Sequence, residues 1–285
     1  MKNIMVIGSG TMGNGIAQVC AESGFGVILH DISKFQLEKA IQTIQTNINR
    51  KKAKRIISES VETILKRISL STSLEDAIEA DFVIEAATEK KEIKAAIFKE
   101  LDRICREDVI LATNTSSISI TEIASSTNRP SLVIGMHFMN PVPVMPLVEI
   151  ICGLETSETT LEATKKLVVH FQKTPAIAND YPGFISNRIF LAMMNEAFHC
   201  VYEGVGEPEE IDKVMKLGFN HPMGPLYLAD LVGLDTLLYV LEVLWDGYRD
   251  SKYRPCPLLV KMVNSGRLGR KSGRGFYDYT TEEKL

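Results

Sequence analysis

A short apolar run, Met1-Lys2-Asn3-Ile4-Met5-Val6-Ile7, ends in Gly8-Ser9-Gly10-Thr11-Met12-Gly13, and Asn14-Gly15-Ile16-Ala17-Gln18-Val19-Cys20 then reads as the first turns of a helix. Glycines recur in ordinary turns, so their spacing alone says little; their place between a strand and a helix gives it meaning. Gly8 permits a tight turn, Gly10 lets the backbone approach a pyrophosphate, and Gly13 allows close helix–strand packing. The whole turn, with Ser9, Thr11 and Met12, is the expected cofactor-binding segment. A helix N-terminus presents unpaired N–H groups and partial positive charge to phosphates. A second strand, Val27-Ile28-Leu29-His30, ends at Asp31, about twenty residues beyond the glycines, where an acid accepts from both hydroxyls of an adenine ribose. A carboxylate there repels a 2′-phosphate, so NAD is the expected cofactor.

Bulk composition narrows the class. The chain has 285 residues, 45% of them hydrophobic, enough for a sizeable core in one large or two medium domains. The net charge is −4 with no dominant basic tract, which argues against nucleic acid or an anionic membrane as partner. Five cysteines, Cys20, Cys105, Cys152, Cys200 and Cys256, are scattered, with no CxxC pair and no metal-ligand spacing. They read as reduced thiols of a cytoplasmic protein, and no metal site is expected. No signal peptide is expected ahead of the first strand. The most apolar stretch, 231–245, carries Asp235 and Glu242 and is too short to span a bilayer.

Strand-like and helix-like segments alternate to about residue 178. Ser33 suits the N-cap of a polar helix through Ile48; the basic cluster Arg50, Lys51, Lys52, Lys54 and Arg55 follows, then a second helix over 58–66. Strands are expected at 68–70, 81–86, 109–113, 132–136, 147–151 and 175–178, with helices at about 91–105 and 157–171. This alternation means a parallel, doubly wound sheet, and leaves open whether the late strands pair antiparallel. Beyond Tyr181-Pro182-Gly183 only helical patterns remain: 184–202, apolar on nearly every face, a helix from Pro208, and a long apolar stretch over 228–248. The expected fold is α/β, a Rossmann-type doubly wound sheet over 1–182 with a helical-hairpin excursion at about 33–67. An all-α substrate and dimerisation domain follows over 183–285. Its surplus apolar surface points to a homodimer or higher homo-oligomer.

In open α/β sheets, ligands bind outside the carboxyl ends of the strands. Asn114 and Ser116 follow one such strand, His137 ends the next, Asn140 lies three residues on, and Glu149 sits inside a later apolar strand. A buried carboxylate needs a partner, and an imidazole is a suitable one. A His–Glu pair makes a general base, because the carboxylate fixes the tautomer and favours the imidazolium. Taken singly, each residue has a plainer reading. His137 also fits a satisfied core histidine, Asn114 and Ser116 fit a turn or helix cap, and Glu149 fits a structural lysine pair.

Four runs resolve the choice by resemblance. They are Asn114-Thr115-Ser116-Ser117; Met136-His137-Phe138-Met139-Asn140-Pro141-Val142-Pro143-Val144-Met145 with Leu147-Val148-Glu149 after it; Pro182-Gly183-Phe184-Ile185-Ser186-Asn187-Arg188; and Asn220-His221-Pro222-Met223-Gly224-Pro225. Together they resemble the short-chain L-3-hydroxyacyl-CoA dehydrogenases, most closely the bacterial members that act on 3-hydroxybutyryl-CoA. The resemblance covers essentially the whole chain, and the motifs in this order are specific. It implies NAD-dependent interconversion of (3S)-3-hydroxybutyryl-CoA and acetoacetyl-CoA by acid–base chemistry with direct hydride transfer. It implies His137 as base, Glu149 as its orienting partner, and Ser116 and Asn187 as holders of the substrate's oxygen atoms. Glu89, Lys94, Asn140 and Lys271 are implied cofactor contacts, with Asn114 counted beside them from its strand-end position. Coenzyme A is implied on the two-helix excursion, so Lys51, Lys52 and Lys54 are expected to meet its phosphates; a solvated helix end is the other reading of that cluster. His30, His170, His199 and His221 are read as structural, and Tyr277 and Tyr279 as packing.

Three positions depart from the family's common pattern: Met139 replaces a phenylalanine, Pro146 a lysine, and Ala53 a glycine. They bear on acyl-chain fit and coenzyme A contacts, not on the proposed base. Two rival readings are a β-hydroxyacid dehydrogenase for a free acid, where a lysine base is common, and a non-catalytic structural homologue. The set Ser116, His137, Glu149 and Asn187 argues against both.

Overall fold

The structure, a computed structural model, describes residues 1–280. The chain divides into two compact units, the first spanning Met1–Tyr181 and the second beginning at Pro182.

The first unit is built on eight strands: β1 (Asn3–Ile7), β2 (Gly26–His30), β3 (Ile68–Ser71), β4 (Phe82–Glu85), β5 (Ile110–Thr113), β6 (Val133–Phe138), β7 (Leu147–Cys152) and β8 (Thr174–Asn179). They form one sheet in the order β3-β2-β1-β4-β5-β6-β7-β8. All neighbours pair parallel except β6 and β7, which are antiparallel. That pair settles the question left open for the late strands. Every residue of β4, β5 and β6 is buried, as expected for strands covered on both faces. The covering helices are α1 (Thr11–Glu22), α2 (Lys34–Ala53), α3 (Val61–Leu65), α4 (Lys91–Ile104), α5 (Ile120–Ala124) and α6 (Glu158–His170). The main core joins Ile4 and Val6 of β1 to Ile16 of α1, Ile44 and Ile48 of α2, and Phe82 of β4.

In the excursion two helix boundaries differ from the sequence reading. The polar helix runs on through Ala53, so Arg50, Lys51 and Lys52 form its last turn instead of following it. Cations there face the negative end of the helix dipole, which favours the extension. The second excursion helix is only Val61–Leu65, because Ser60 caps it by accepting from the Thr63 N–H.

In the second unit, α7 (Ser186–Tyr202), α8 (Pro208–Gly218), α9 (Pro225–Val232), α10 (Leu234–Tyr248) and α11 (Pro257–Asn264) enclose a core of residues such as Leu191, Phe198, Leu226, Leu237, Leu241 and Leu259. The apolar stretch 228–248 is not one helix. Gly233 adopts φ +105°, closing α9 and opening α10. Helix α7 buries one face, with Ile189 and Tyr202 of its other faces exposed in the single chain.

At the glycine turn the three positions separate cleanly. Gly8 has φ +93°, and a Cβ there would lie 2.6 Å from the Ala86 carbonyl oxygen. A Cβ on Gly13 would lie 1.7 Å from the Gly8 oxygen. At Gly10 a Cβ would meet no protein atom within 4 Å. Gly8→Ala should therefore destabilise the fold by about 1–3 kcal/mol or more through backbone strain and clash. Gly10→Ala should melt like the parent protein while binding dinucleotide more weakly. Thermal unfolding and NADH titration check the pair; an unaltered melt for Gly8→Ala would contradict this packing.

Candidate active site

The antiparallel pairing of β6 and β7 puts His137 directly opposite Glu149. His137 Nδ1 lies 3.1 Å from Glu149 Oε2. His137 is 7% exposed and Glu149 only 1%. A neutral ring with Nδ1–H donated to the carboxylate leaves Nε2 as the acceptor, and an oriented acceptor of this kind is a general base. The neighbouring strand end is tied in through Asn114, whose Oδ1 accepts from the Phe138 N–H at 2.9 Å.

Ser116 lies in the turn after β5, and that turn is gathered by one carboxylate. Glu89 Oε1 accepts from the Ser116 N–H at 2.9 Å, from the Ser117 N–H at 3.2 Å, and from the hydroxyls of Thr115 and Ser117. Lys94 reaches the other oxygen of Glu89 at 3.5 Å but chiefly holds Glu85, with Nζ 2.8 and 2.9 Å from its two oxygens. Lys94 is 1% exposed. Its buried ammonium braces both acids.

The glycine turn borders a cavity of about 810 Å³ whose lining includes Gly8, Gly10, Asp31, Ile32, Ala87 and Ile97. The N-terminus of α1 has no side-chain cap, so its N–H groups remain available to an anion. Asp31 Oδ2 accepts from the Ser9 N–H at 2.9 Å and the Ser9 hydroxyl at 2.7 Å, and Oδ1 accepts from the Ser33 N–H at 3.0 Å. Partial burial raises its pKa, but these bonds and His30 outweigh it and hold the carboxyl below its ordinary value. The open space at Gly10, the uncapped helix and the fixed acid together fit a dinucleotide. Asn140 lines an adjoining cavity of about 310 Å³ with Ser9, Gly10, Thr11 and Asn14.

In the second unit, Asn187 stands in the first turn of α7, its N–H donating to the Gly183 oxygen at 3.1 Å. Lys271 donates to Asp235 Oδ2 at 2.7 Å. Tyr277 and Tyr279 do more than pack. Their hydroxyls donate to Asp212 and Asp230, two acids buried among the helices. On the excursion, Lys51 is engaged by Glu22, whereas Lys52 and Lys54 are exposed.

Sequence reasoning missed Glu85 and Asp180. Glu85 is buried and accepts from the Ala87 N–H at 2.7 Å and the Thr113 hydroxyl at 2.6 Å besides Lys94. Its signal was visible: an acid closing the apolar run Phe82-Val83-Ile84, the same cue that marked Glu149. Asp180 accepts from the Ser119 hydroxyl and the N–H groups of Ile120 and Thr121, fixing the start of α5. Nothing local announces a contact sixty residues away. Among the described residues no cluster of acids, histidines or cysteines could hold a metal ion, and no helix is long and apolar enough to cross a membrane.

A mostly parallel sheet with a glycine turn, a strand-end acid and a His–Glu pair across its antiparallel pairing defines a dinucleotide-dependent oxidoreductase. Comparison with known proteins gives the family. Residues 3–181 match the model described as 3-hydroxyacyl-CoA dehydrogenase, NAD binding domain, and residues 183–279 the model described as 3-hydroxyacyl-CoA dehydrogenase, C-terminal domain. The chain belongs to the 3-hydroxyacyl-CoA dehydrogenase family, with NAD as cofactor. A probable 3-hydroxybutyryl-CoA dehydrogenase of Bacillus subtilis (strain 168) is 57% identical over 286 residues, covering 100% of this chain and 99% of that one. The 3-hydroxybutyryl-CoA dehydrogenase of Bradyrhizobium diazoefficiens is 52% identical over 280 residues, covering 98% and 96%. The crystal structure of (S)-3-hydroxybutyryl-CoA dehydrogenase from Ralstonia eutropha matches with a TM-score of 0.96 at 50% identity, covering 99% of this chain and 100% of that one.

The Glu85–Lys94 pair generates a stability prediction. Lys94→Met leaves the Glu85 charge buried with its cation gone, a change that typically costs about 3–5 kcal/mol. Urea unfolding measures it, and a loss below about 1 kcal/mol would show that Glu85 does not depend on Lys94.

Proposed function

We propose that this enzyme interconverts (3S)-3-hydroxybutyryl-CoA and acetoacetyl-CoA, with His137 as the general base. The observation that carries the reading is the register that sets His137 across from Glu149. In the oxidative direction His137 Nε2 takes the proton of the 3-hydroxyl, and in the reductive direction it returns that proton to the carbonyl oxygen. Glu149 holds the ring's tautomer and stabilises the imidazolium formed on the way. NAD, when bound, supplies the hydride acceptor at the same carbon. The turn Gly8–Gly13 and the α1 N-terminus would hold the pyrophosphate, and Asp31 would hold the adenine ribose. Glu89, Lys94, Asn114, Asn140 and Lys271 are the further residues that would hold the cofactor, with Lys94 also bound to Glu85. Ser116 and Asn187 bind the substrate's oxygen atoms.

The coenzyme A reading narrows to Lys52 and Lys54, because Lys51 is engaged by Glu22. The five cysteines are free thiols, which supports a reducing, cytoplasmic setting.

The test is turnover of acetoacetyl-CoA with NADH. His137→Ala should slow it by about a hundred- to ten-thousand-fold while NADH binding persists, as expected for loss of a positioned base. Glu149→Gln should also slow it. Near-wild-type rates for either variant, or no turnover by the parent protein, would sink the reading.

The second unit is the proposed dimerisation domain. Ile189, Val214, Leu217, Phe219 and Trp245 are exposed in the single chain, a larger apolar surface than a small helical unit leaves to water. Sedimentation equilibrium should find a homodimer or higher homo-oligomer at micromolar concentration; a stable monomer would refute this.

A further inference from the structure

The loop that joins β6 to β7 connects the two halves of the His137–Glu149 pair and carries Asn140. It contains Pro141, Pro143 and Pro146, which have no N–H to donate. Its carbonyls therefore have few donors within the loop. The Pro141 oxygen is met within the loop, by the N–H groups of Val144 at 2.9 Å and Met145 at 3.0 Å. The Pro146 oxygen accepts from the Thr174 N–H at 2.7 Å. The oxygens of Val142 and Met145 both accept from Lys173 Nζ, at 2.7 and 2.6 Å.

Lys173 is 9% exposed. A buried ammonium is costly, and this one is met chiefly by two backbone dipoles. Burial, and then the neighbouring Lys51, depress its pKa, with Glu22 opposing. Neither the sequence motifs nor the proposed chemistry uses this residue. The loop it holds also packs against α1. Val142 is buried, and a Cβ added to Gly15 would lie 2.8 Å from the Val142 Cβ. Asn140, two residues earlier, faces the same cavity as Ser9, Gly10 and Thr11.

We propose that Lys173 is a positioning residue for the cofactor cleft: by binding the carbonyls of Val142 and Met145 it fixes the β6–β7 loop against α1 and so sets Asn140 beside the glycine turn. Asn140's part in cofactor binding rests on the function proposed above; the fastening of the loop does not.

Lys173→Met keeps the stem and removes the donors. Hydrogen–deuterium exchange of the apo protein should show a peptide over 138–147 exchanging about tenfold faster, with peptides of β1 and β4 unchanged, because only the local opening free energy falls. In the acetoacetyl-CoA assay the KM for NADH should rise about tenfold with kcat within about threefold, the pattern of lost uniform binding. A lysine that only supports the fold would lower the melting temperature and leave the KM of the folded enzyme alone. Unchanged loop exchange, or a wild-type KM for NADH in the folded variant, overturns the proposal. If Lys173→Met does not fold, Lys173→Gln takes its place. Its amide is one bond shorter and cannot reach both carbonyls, so wild-type loop exchange and KM there are equally fatal. If the parent protein does not reduce acetoacetyl-CoA, the proposed function fails separately, and NADH dissociation constants by fluorescence replace KM.

Discussion

A carboxylate taken out of water costs several kcal/mol unless its charge is met. The first unit buries two, Glu85 at the end of β4 and Glu149 within β7. This cost organises the cleft. Glu85 is met by Lys94 from α4, by the Thr113 hydroxyl from β5 and by the Ala87 N–H of the turn that follows β4. Three elements are thereby fixed around one charge. Glu149 is met by His137 across the only antiparallel pairing in the sheet. Glu89, half-way out to solvent, extends the same arrangement by collecting the donors of residues 115–117. Packing alone tolerates adjustments of side-chain position, whereas a buried charge tolerates few. Ser116 and His137 thus inherit their placement from electrostatics beneath them.

The strands and their alternation with helices follow from apolar runs and glycines, which are local signals, and these were legible; the order of the strands and the antiparallel β6–β7 pairing were not. The acid at position 31 was legible too, since its spacing from the glycines is set by the length of one βαβ unit. The break at Gly233 was not. Apolar periodicity runs straight through it, and a single glycine inside such a pattern is common enough to be passed over. Only the fold reveals the positive φ there and the proximity of Lys271 Nζ, 3.0 Å from where a Cβ would stand. Charged residues were read by their sequence neighbourhood, which did not reveal the partner of Lys51. The cluster 50–55 looks like one basic surface, yet Glu22, twenty-nine positions earlier, removes one member. Lys173 and Asp180 were illegible for the same reason. Their partners lie 28 to 61 residues away, and pairings at that range come from topology.

The helical unit obeys the same rule with different partners. Asp212 accepts from the N–H groups of Leu226 and Tyr227, capping α9, and from the Tyr277 hydroxyl. Asp230 accepts from the N–H groups of Phe276 and Tyr277 and from the Tyr279 hydroxyl. Burial raises the Asp230 pKa against the effect of those bonds, and burial first, then the acids, raise both tyrosines. Residues 276–279 are thereby clamped to α8 and α9 instead of trailing as a polar tail. Lys271 lies just ahead of the clamp and ends on Asp235, at the start of α10.

Asp31 shows how the turn beside an acid can hold it in one place. An ionised carboxylate offers about four lone-pair sites. Three are taken by Ser9 N–H, Ser9 hydroxyl and Ser33 N–H. Two of those donors are backbone groups of the glycine turn and of the segment after β2, so the acid cannot swing away without breaking the turn itself. The third is a hydroxyl rotor, which can turn aside and release a site to an incoming ribose hydroxyl. Against the effect of partial burial, the same three bonds, with His30, hold its pKa below the ordinary aspartate value. A 2′-phosphate would then confront a full negative charge that neither rotates away nor takes up a proton. That immobility, as much as the presence of an acid, disfavours a 2′-phosphate beside Asp31.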